Sequence, residues 1–414
     1  MVPNKAYDCI VVGGGHNGLV TAAYLAKAGK SVCVLERRAV LGGCAASEPL
    51  WPGYRVSTAA YVISLLLPEV IRDLRLKQYG FHILPRDPSS FTPLLDGRSL
   101  LMGPNEQATR SEIAKFSERD AQRYPAYTTM LERVAERLEP VLSRAAPDPL
   151  PLSKEYRKLG VVKRMGDARR MWDLYQAAGE LGDDLPEAIE LLTGAARPIL
   201  ERWFEADVLR ATLATDAIIG AFASISSPGT AYVLLHHVMG TAGGARGIWG
   251  YVQGGMGGLA DALESACRDL RVDVVREAEV TRIFSDSRGV QSVALAGGKT
   301  VEAPIVASSI DAHWTFERLL DPKQVPEKFR DAVSRIDYAS ASAKINLGLS
   351  ALPDFLAAPS SDVAPHHRGT IHISPTMDYI ERAYDEAKYG RPSSEPVLEI
   401  TLPSSVDRSV VPDG

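Results

Sequence analysis

Asp8 to Val12 reads as a buried strand, Gly13-Gly14-Gly15-His16-Asn17-Gly18 as a tight turn, Leu19 to Ala28 as a helix, and Ser31 to Leu35 as a second strand that ends on Glu36. That order is the fingerprint of a dinucleotide-binding βαβ unit, and each glycine in it has a physical task. Gly13 permits the sharp turn out of the strand. Gly15, with Gly14 beside it in the same turn, lets backbone amides approach a pyrophosphate that a Cβ would block. Gly18 lets the helix lie close to the strand, so that the pyrophosphate sits on the positive end of the helix. Glu36 lies eighteen residues beyond Gly18. A carboxylate there accepts hydrogen bonds from ribose hydroxyls and repels a ribose phosphate, which disfavours NADP.

The next residues distinguish one dinucleotide from another. Glu36-Arg37-Arg38, followed by Leu41 and Gly42-Gly43, resembles the extended fingerprint of FAD proteins, in which an acidic residue, a basic residue and a glycine pair follow in this order. The Gly42-Gly43 pair again brings backbone close to the pyrophosphate and the flavin side of the cofactor. Arg37 and Arg38 fit either a cofactor contact, with Arg37 as the candidate, or solvated surface charge. A dehydrogenase that binds NAD without flavin has no use for the extension.

Composition sets outer bounds. At 414 residues and 45% hydrophobic content, the chain holds enough apolar material for two cores. A net charge of −5 gives nucleic acid no footing. No apolar run approaches the ~18 to 20 residues that span a bilayer, so no transmembrane segment is expected. The first residues lead quickly into the opening strand with no signal peptide or presequence in view, which on its own points to the cytosol. Cys9, Cys33, Cys44 and Cys267 form no CxxC or CxxxxC pair, so dithiol chemistry is not expected. Cys9 and Cys33 read as small buried thiols in strands.

Beyond the turn and short strand at Pro52 to Ser57, residues 105–209 read as mostly helical, with a loop marked by Pro147, Pro149 and Pro151. Within them Lys154, Arg157, Lys158, Lys163, Arg164, Arg169 and Arg170 alternate with Leu159, Val161, Val162 and Met165. This is either a basic amphipathic helix for an anionic membrane surface or a solvated helix face over a hydrophobic core. Nucleotide-domain grammar returns at Gly254-Gly255-Met256-Gly257-Gly258, which opens a helix from Leu259 to Leu270. Strands follow at Val272 to Val275 and Val280 to Phe284. A hairpin then turns at Gly297-Gly298 between Val290 to Leu295 and Thr300 to Ala303, and Ile305 to Ser309 reads as a buried strand.

Taken together, Gly13 to Gly18, Glu36 to Gly43, Gly254-Gly255-Met256 and Val280 to Ser309 resemble the phytoene-desaturase-like branch of the FAD-dependent amine oxidase superfamily. The resemblance covers nearly the whole chain and is most specific at Ala211 to Gly220, Tyr232 to Gly240 and Trp249 to Gly257. It implies an α/β chain of two domains: an FAD-binding Rossmann-like fold of the glutathione-reductase type, interrupted by an inserted α+β substrate domain. The corresponding boundaries are 1–66 and 247–338 for the two FAD pieces, 67–246 for the insertion, and 339–414 for its return. It also implies that the backbone at Val280 reads the adenine edge and that Gly255 and Met256 approach the flavin. Such proteins carry a last glycine-rich segment near the C-terminus. None follows Gly348 here, so the fold is expected to be C-terminally incomplete.

The same resemblance names FAD as cofactor and an oxidoreductase that removes hydride from a small hydrophobic substrate, with oxygen or a quinone taking the electrons. Its setting is the mitochondrion, on the matrix or inner-membrane face, with an inner-membrane partner protein. The alternative is a non-catalytic scaffold or regulator that keeps the nucleotide fold and acts through partners. Lys344 is the catalytic candidate. In Ser340 to Leu349, Ile345, Leu347 and Leu349 alternate as the buried face of a strand, which places Lys344 and Asn346 on the other face. In related amine oxidases a lysine at this position holds a water against the flavin. His236 and His237 fit a substrate contact or a hydrogen-bonded core pair, with no metal cluster in view. Arg246 fits a loop contact to a substrate carboxylate or a solvated charge, and Asp216 a buried hydrogen-bond anchor.

Overall fold

Every residue of Cys9–Val12 and of Val32–Leu35 is buried. Strands covered on both faces read as unbroken apolar runs, as parallel sheets require. A computed structural model, describing residues 5–148, 160–242, 245–340 and 342–412, sets these two strands in a four-stranded parallel sheet. Its order is Asp273–Val275, Val32–Leu35, Cys9–Val12, Ile305–Ser308, so the two inner strands come from the start of the chain and the two outer strands from a much later region. The helices His16–Lys27 and Gly257–Asp269 cover one face, burying Leu19, Ala22 and Ala23 with Leu259, Leu263 and Ala266. The antiparallel meander Val280–Asp286, Gly289–Leu295, Thr300–Glu302 covers the other, where Ile283, Val293 and Val301 meet Ile10, Val12 and Leu35. This is a Rossmann-like dinucleotide-binding fold, as the glycine pattern predicts, assembled from two separated pieces of the chain as the resemblance implies.

The first helix starts at His16, three residues before the first apolar position, so Gly18 lies inside it. A Cβ on Gly18 would stand 2.1 Å from the carbonyl oxygen of Gly13, and Gly13 itself sits at φ +98°. Ile305–Ser308 departs from the expected buried strand. It is one of the two edge strands of the sheet, where the covering layers thin out, and Ile305 is exposed.

The rest of the molecule is helices and a second sheet. Helices Glu106–Ala114, Glu118–Leu142, Val161–Leu181, Leu185–Thr193, Ala196–Trp203, Asp207–Thr215 and Thr230–Met239 enclose a core around Tyr127, Leu131, Val134, Ile199, Leu200 and Leu234. Asp120 is fully buried there because its carboxylate accepts the amides of Glu205 at 3.0 Å and Ala206 at 2.7 Å. The sheet runs Leu398–Thr401, Thr370–Ile373, Ser90–Pro93, Ser99–Met102. Ile371 packs with Phe91 and Leu402 on one face, which leaves Thr370 and His372 on the other.

Two segments differ from expectation. Lys154, Arg157, Lys158 and Leu159 lie outside the described residues. Where the basic stretch is described it enters the helix Val161–Leu181, but Val161, Val162, Met165, Trp172 and Tyr175 are exposed rather than set over a core. Only Asp167, Ala177 and Leu181 of that helix are buried, because alternation with lysine and arginine sets no helical period by itself. Residues 342–349 form no strand, and Ile345, Leu347 and Leu349 are exposed. Alternation gives the period of a strand but does not supply a neighbouring edge to receive its backbone. No helix among the described residues is long and apolar enough to cross a membrane.

The close approach at Gly18 gives a direct test. Gly18→Ala forces a methyl into the Gly13 carbonyl and is expected to lower unfolding free energy by about 2 kcal/mol or more. Gly179→Ala, in an exposed helix position with open space around it, is expected to raise it by about 0.5–1 kcal/mol. Urea denaturation of both variants checks the pair, and equal effects would remove the packing argument.

Candidate functional site

Gly15 is the N-cap of the first helix. It brings no capping side chain, and no acidic residue follows in the first turn, so the helix dipole is left uncompensated. Gly42 crosses this end, its amide donating to the Gly14 carbonyl at 2.8 Å, and Gly15 and Gly42 form a parallel bridge. A Cβ on Gly15 would meet nothing nearer than Gly43 Cα at 3.8 Å, whereas one on Gly43 would stand 3.1 Å from Gly15 Cα. The result is a groove of bare backbone at the positive end of a helix. At its side Glu36 is buried, with Oε2 accepting the Gly14 amide at 2.7 Å and Oε1 the Arg38 amide at 2.8 Å. Each oxygen keeps a lone pair for another donor.

Other expected cofactor residues fall around this groove in different ways. Val280 begins a meander strand, and two residues earlier the Ala278 amide donates to the Glu36 carbonyl at 2.8 Å, so Val280 lies on the Glu36 side. Arg37 is exposed and makes no hydrogen bond or ion pair among the described residues, while Arg38 is held by Glu48 at 2.7 Å. The Gly255-Met256 turn is tied to its own chain. Met256 donates its amide to Ser57 Oγ at 3.0 Å, Gly257 to Ser47 Oγ at 2.9 Å, and Gly254 to Asp407 Oδ2 at 2.6 Å. Gly255 stands at φ +79°, where a Cβ would fall 2.7 Å from Ser47 Oγ.

A second constellation, which sequence reading missed, lies between the polar face of the second sheet and the ribbon formed by Ile83–Pro85 and Gly250–Val252. His372 is paired directly with Glu399 across the sheet. Glu399 accepts from the Tyr61 hydroxyl, and Arg86 donates through Nη1 to Thr370 Oγ1. The Arg86 amide bonds the Trp249 carbonyl at 3.1 Å, and the Trp249 ring stacks on His237 with centroids 5.1 Å apart. Lys344, although its segment lies outside the sheet, sets its ammonium over the Tyr61 ring, 4.5 Å from the centroid. The stretches that meet here lie far apart in sequence, and Tyr61, Arg86, Thr370, His372 and Glu399 belong to no motif. The one available signal is charged and aromatic residues inside otherwise apolar strands.

Burial sets the electrostatics of this cluster. It pushes Glu399 up, against the opposing bond from Tyr61, and pushes Asp216 up, against the pull of His237 and Arg86. Tyr251 rises to about 12. His372 is driven down to about 4, first by burial and then by Arg86. Lys344 is also lowered by burial, with Glu399 acting against the shift.

Other candidates resolve into structural roles. Asp216 caps a helix and accepts no hydrogen bond among the described residues, so it is not the expected anchor. Arg246 is held by Glu139 at 2.7 Å and by the Met239 carbonyl, so it is not free on a loop. His236 lines a cleft of about 180 Å³ with Ser64, Leu65, Tyr232 and Met239, and His237 bonds the Val233 carbonyl. Among the described residues no His, Cys, Asp or Glu cluster is arranged for a metal. All four cysteines are free. Cys9, Cys33 and Cys267 are buried, and burial raises each thiol.

The profile of the family described as flavin containing amine oxidoreductase matches residues 18–356. Pyridine nucleotide-disulfide oxidoreductase domain-containing protein 2 of Rattus norvegicus is 39% identical over 421 residues, covering 99% of this chain and 72% of that protein. The zeta-carotene-forming phytoene desaturase of Myxococcus xanthus is 24% identical over 98% of this chain and 70% of its own length. A crystal structure from Pyrococcus furiosus shares the fold, with a TM-score of 0.54 at 15% identity over 98% of this chain and 77% of that one. Putrescine oxidase bound to putrescine has a TM-score of 0.50 at 17% identity, covering 80% of this chain and 64% of that one. The disulfide chemistry in the rat protein's name has no cysteine pair to support it here.

His372 makes the site pH-sensitive in a definite direction. Its unfolded value is 6.5 and its folded value about 4, so on acidification the unfolded chain takes up this proton first. The stability present above pH 6.5 is lost as pH falls toward 4, by about 3 kcal/mol from this group alone. Denaturant titrations at pH 7 and pH 4 are expected to show a smaller acid loss for His372→Gln than for the parent chain, and parallel losses would refute it.

Proposed function

Because the chain belongs to the flavin-containing amine oxidoreductases, and is therefore an oxidoreductase of a flavoprotein family, we propose that it binds FAD and removes a hydride from a hydrophobic substrate. The observation that carries this reading is the bare-backbone groove between Gly15 and Gly43 with Glu36 beside it. A pyrophosphate in that groove meets the N-terminal amides of the first helix with no side chain in the way, and Glu36 faces ribose hydroxyls with both oxygens already oriented. Gly13, Gly14 and Gly18 shape the turn. Gly42 closes its far wall, and Val280 and Gly255-Met256 border the adenine and flavin ends in this reading.

When bound, FAD accepts the hydrogen and electron pair that leave a substrate C–H bond, and a proton departs from the neighbouring carbon or nitrogen. The chain's own part is to hold the substrate and receive that proton. Glu399, whose basicity burial raises and whose carboxylate accepts from Tyr61, is the proposed acceptor. Lys344 is proposed as the ammonium beside the ring, where it favours negative charge on the cofactor and holds a water. Its seat over Tyr61, next to Glu399, supports that placement.

Absorbance of the purified chain after FAD addition and desalting tests the proposal. A retained flavin band that bleaches with dithionite is expected. Glu36→Ala, which removes a charged hydrogen-bond acceptor worth about 1.5–3 kcal/mol, is expected to weaken FAD binding at least tenfold. Lys344→Met is expected to retain the band while slowing reduction by substrate. A colourless parent chain overturns the reading.

A further inference from the structure

Arg86 is the buried arginine among the described residues, 7% exposed, and it forms none of the observed ion pairs. Its Nη1 is spent on a threonine hydroxyl, and its Nε, shielded from water, has no acceptor. A guanidinium buried without a carboxylate is costly, because removal from water is not offset by an opposite charge. Glu399 and Asp216 both feel Arg86, but neither is within ion-pair distance, and burial raises both carboxyls. Lys344 adds a second ammonium on the same side.

The surroundings repeat this pattern of unused polar atoms. His372 Nδ1 and Ser374 Oγ are buried and have no partner, while the Tyr251 hydroxyl lies close enough to Arg86 to interact with it without completing a full hydrogen bond. Arg86 is the decisive member, since a guanidinium only donates and must meet an acceptor. Around it the rings of Tyr251, Trp249 and Tyr61 supply apolar surface. An amine fits poorly beside two cations when the nearer carboxyl, Glu399, is already engaged by Tyr61. A carboxylate fits Arg86 by charge and by fork geometry.

We propose that the substrate is an amphipathic carboxylic acid whose carboxylate pairs with Arg86 while its apolar body lies along Trp249, Tyr251 and Tyr61. This rests on the oxidoreductase reading and narrows its substrate class. Arg86 is then a specificity-determining residue, and its missing ion-pair partner is supplied by the substrate.

The test is calorimetric titration of the full FAD-loaded chain with decanoate, decanol and decylamine, alongside thermal unfolding. Decanoate is expected to bind at least tenfold more tightly than the other two. Arg86→Met is expected to abolish that preference while unfolding at the same temperature as the parent or higher, since it removes an unpaired buried charge. A merely structural arginine would instead lower the unfolding temperature and leave the ranking of ligands intact. Arg86→Lys keeps a charge without the fork and is expected to fall between. Preference for decylamine, equal binding of all three by the parent chain, or an unchanged preference in Arg86→Met overturns the proposal. The parent ranking decides even where Arg86→Met does not fold. A retained flavin band with no carboxylate preference refutes this inference alone. If flavin is lost, the cofactor reading fails, and the same titration on the flavin-free chain still decides for or against Arg86.

Discussion

The contact on which the nucleotide-binding half depends is the approach of the first helix to the loop beneath it. Gly18 leaves no room for a single carbon beside the Gly13 carbonyl, and Ser309 Oγ bonds that same carbonyl at 3.0 Å from the end of an outer strand. Three parts of the chain therefore meet at one peptide oxygen: the opening turn, the helix it launches, and a strand from nearly three hundred residues later. Pulling the helix away to admit a side chain would also shift the groove at Gly15 and Gly42, because the Gly14 carbonyl receives the Gly42 amide. Close packing and phosphate access are thus one constraint, and close-packed protein interiors transmit such shifts rather than absorb them.

The second sheet imposes a different kind of order. Its apolar face, with Phe91, Ile371 and Leu402, settles which way each strand points. Pleating then directs Thr370, His372 and Glu399 together to the opposite face, where Arg86 and Tyr61 arrive from other elements. The hydrophobic side of the sheet positions the polar side, so the cluster needs no local motif to be assembled.

That difference explains what was legible in the sequence. The parallel sheet, its two helices and the meander follow from glycine placement and unbroken apolar strands, which are local signals. Glu36 was legible because it sits at a fixed distance from a turn. The cluster was not, since Tyr61, Arg86, Trp249, His372 and Glu399 become neighbours only through long-range register. Lys344 shows the opposite failure. Its alternating neighbours promised a buried strand, yet Ile345 and Leu347 face solvent, and the lysine reaches the cluster by a cation–π contact with Tyr61.

The two halves also differ in how fully they obey the ordinary rules of stability. Around the glycine groove the buried side chains have partners within the chain: Glu36 has two amides, Asp407 holds Gly254, and Ser47 and Ser57 hold the next turn. Around Arg86 those rules lapse together, with an unpaired guanidinium, two carboxyls raised by burial, a histidine kept neutral and several orphaned polar atoms. A folded chain holds such a concentration only where the rest of the structure over-determines it, and unsatisfied local rules gather where a protein acts on something else. The apolar side of the second sheet and the helical core supply that excess. The partner that the polar groups lack is therefore sought outside the chain, in the molecule that the site receives.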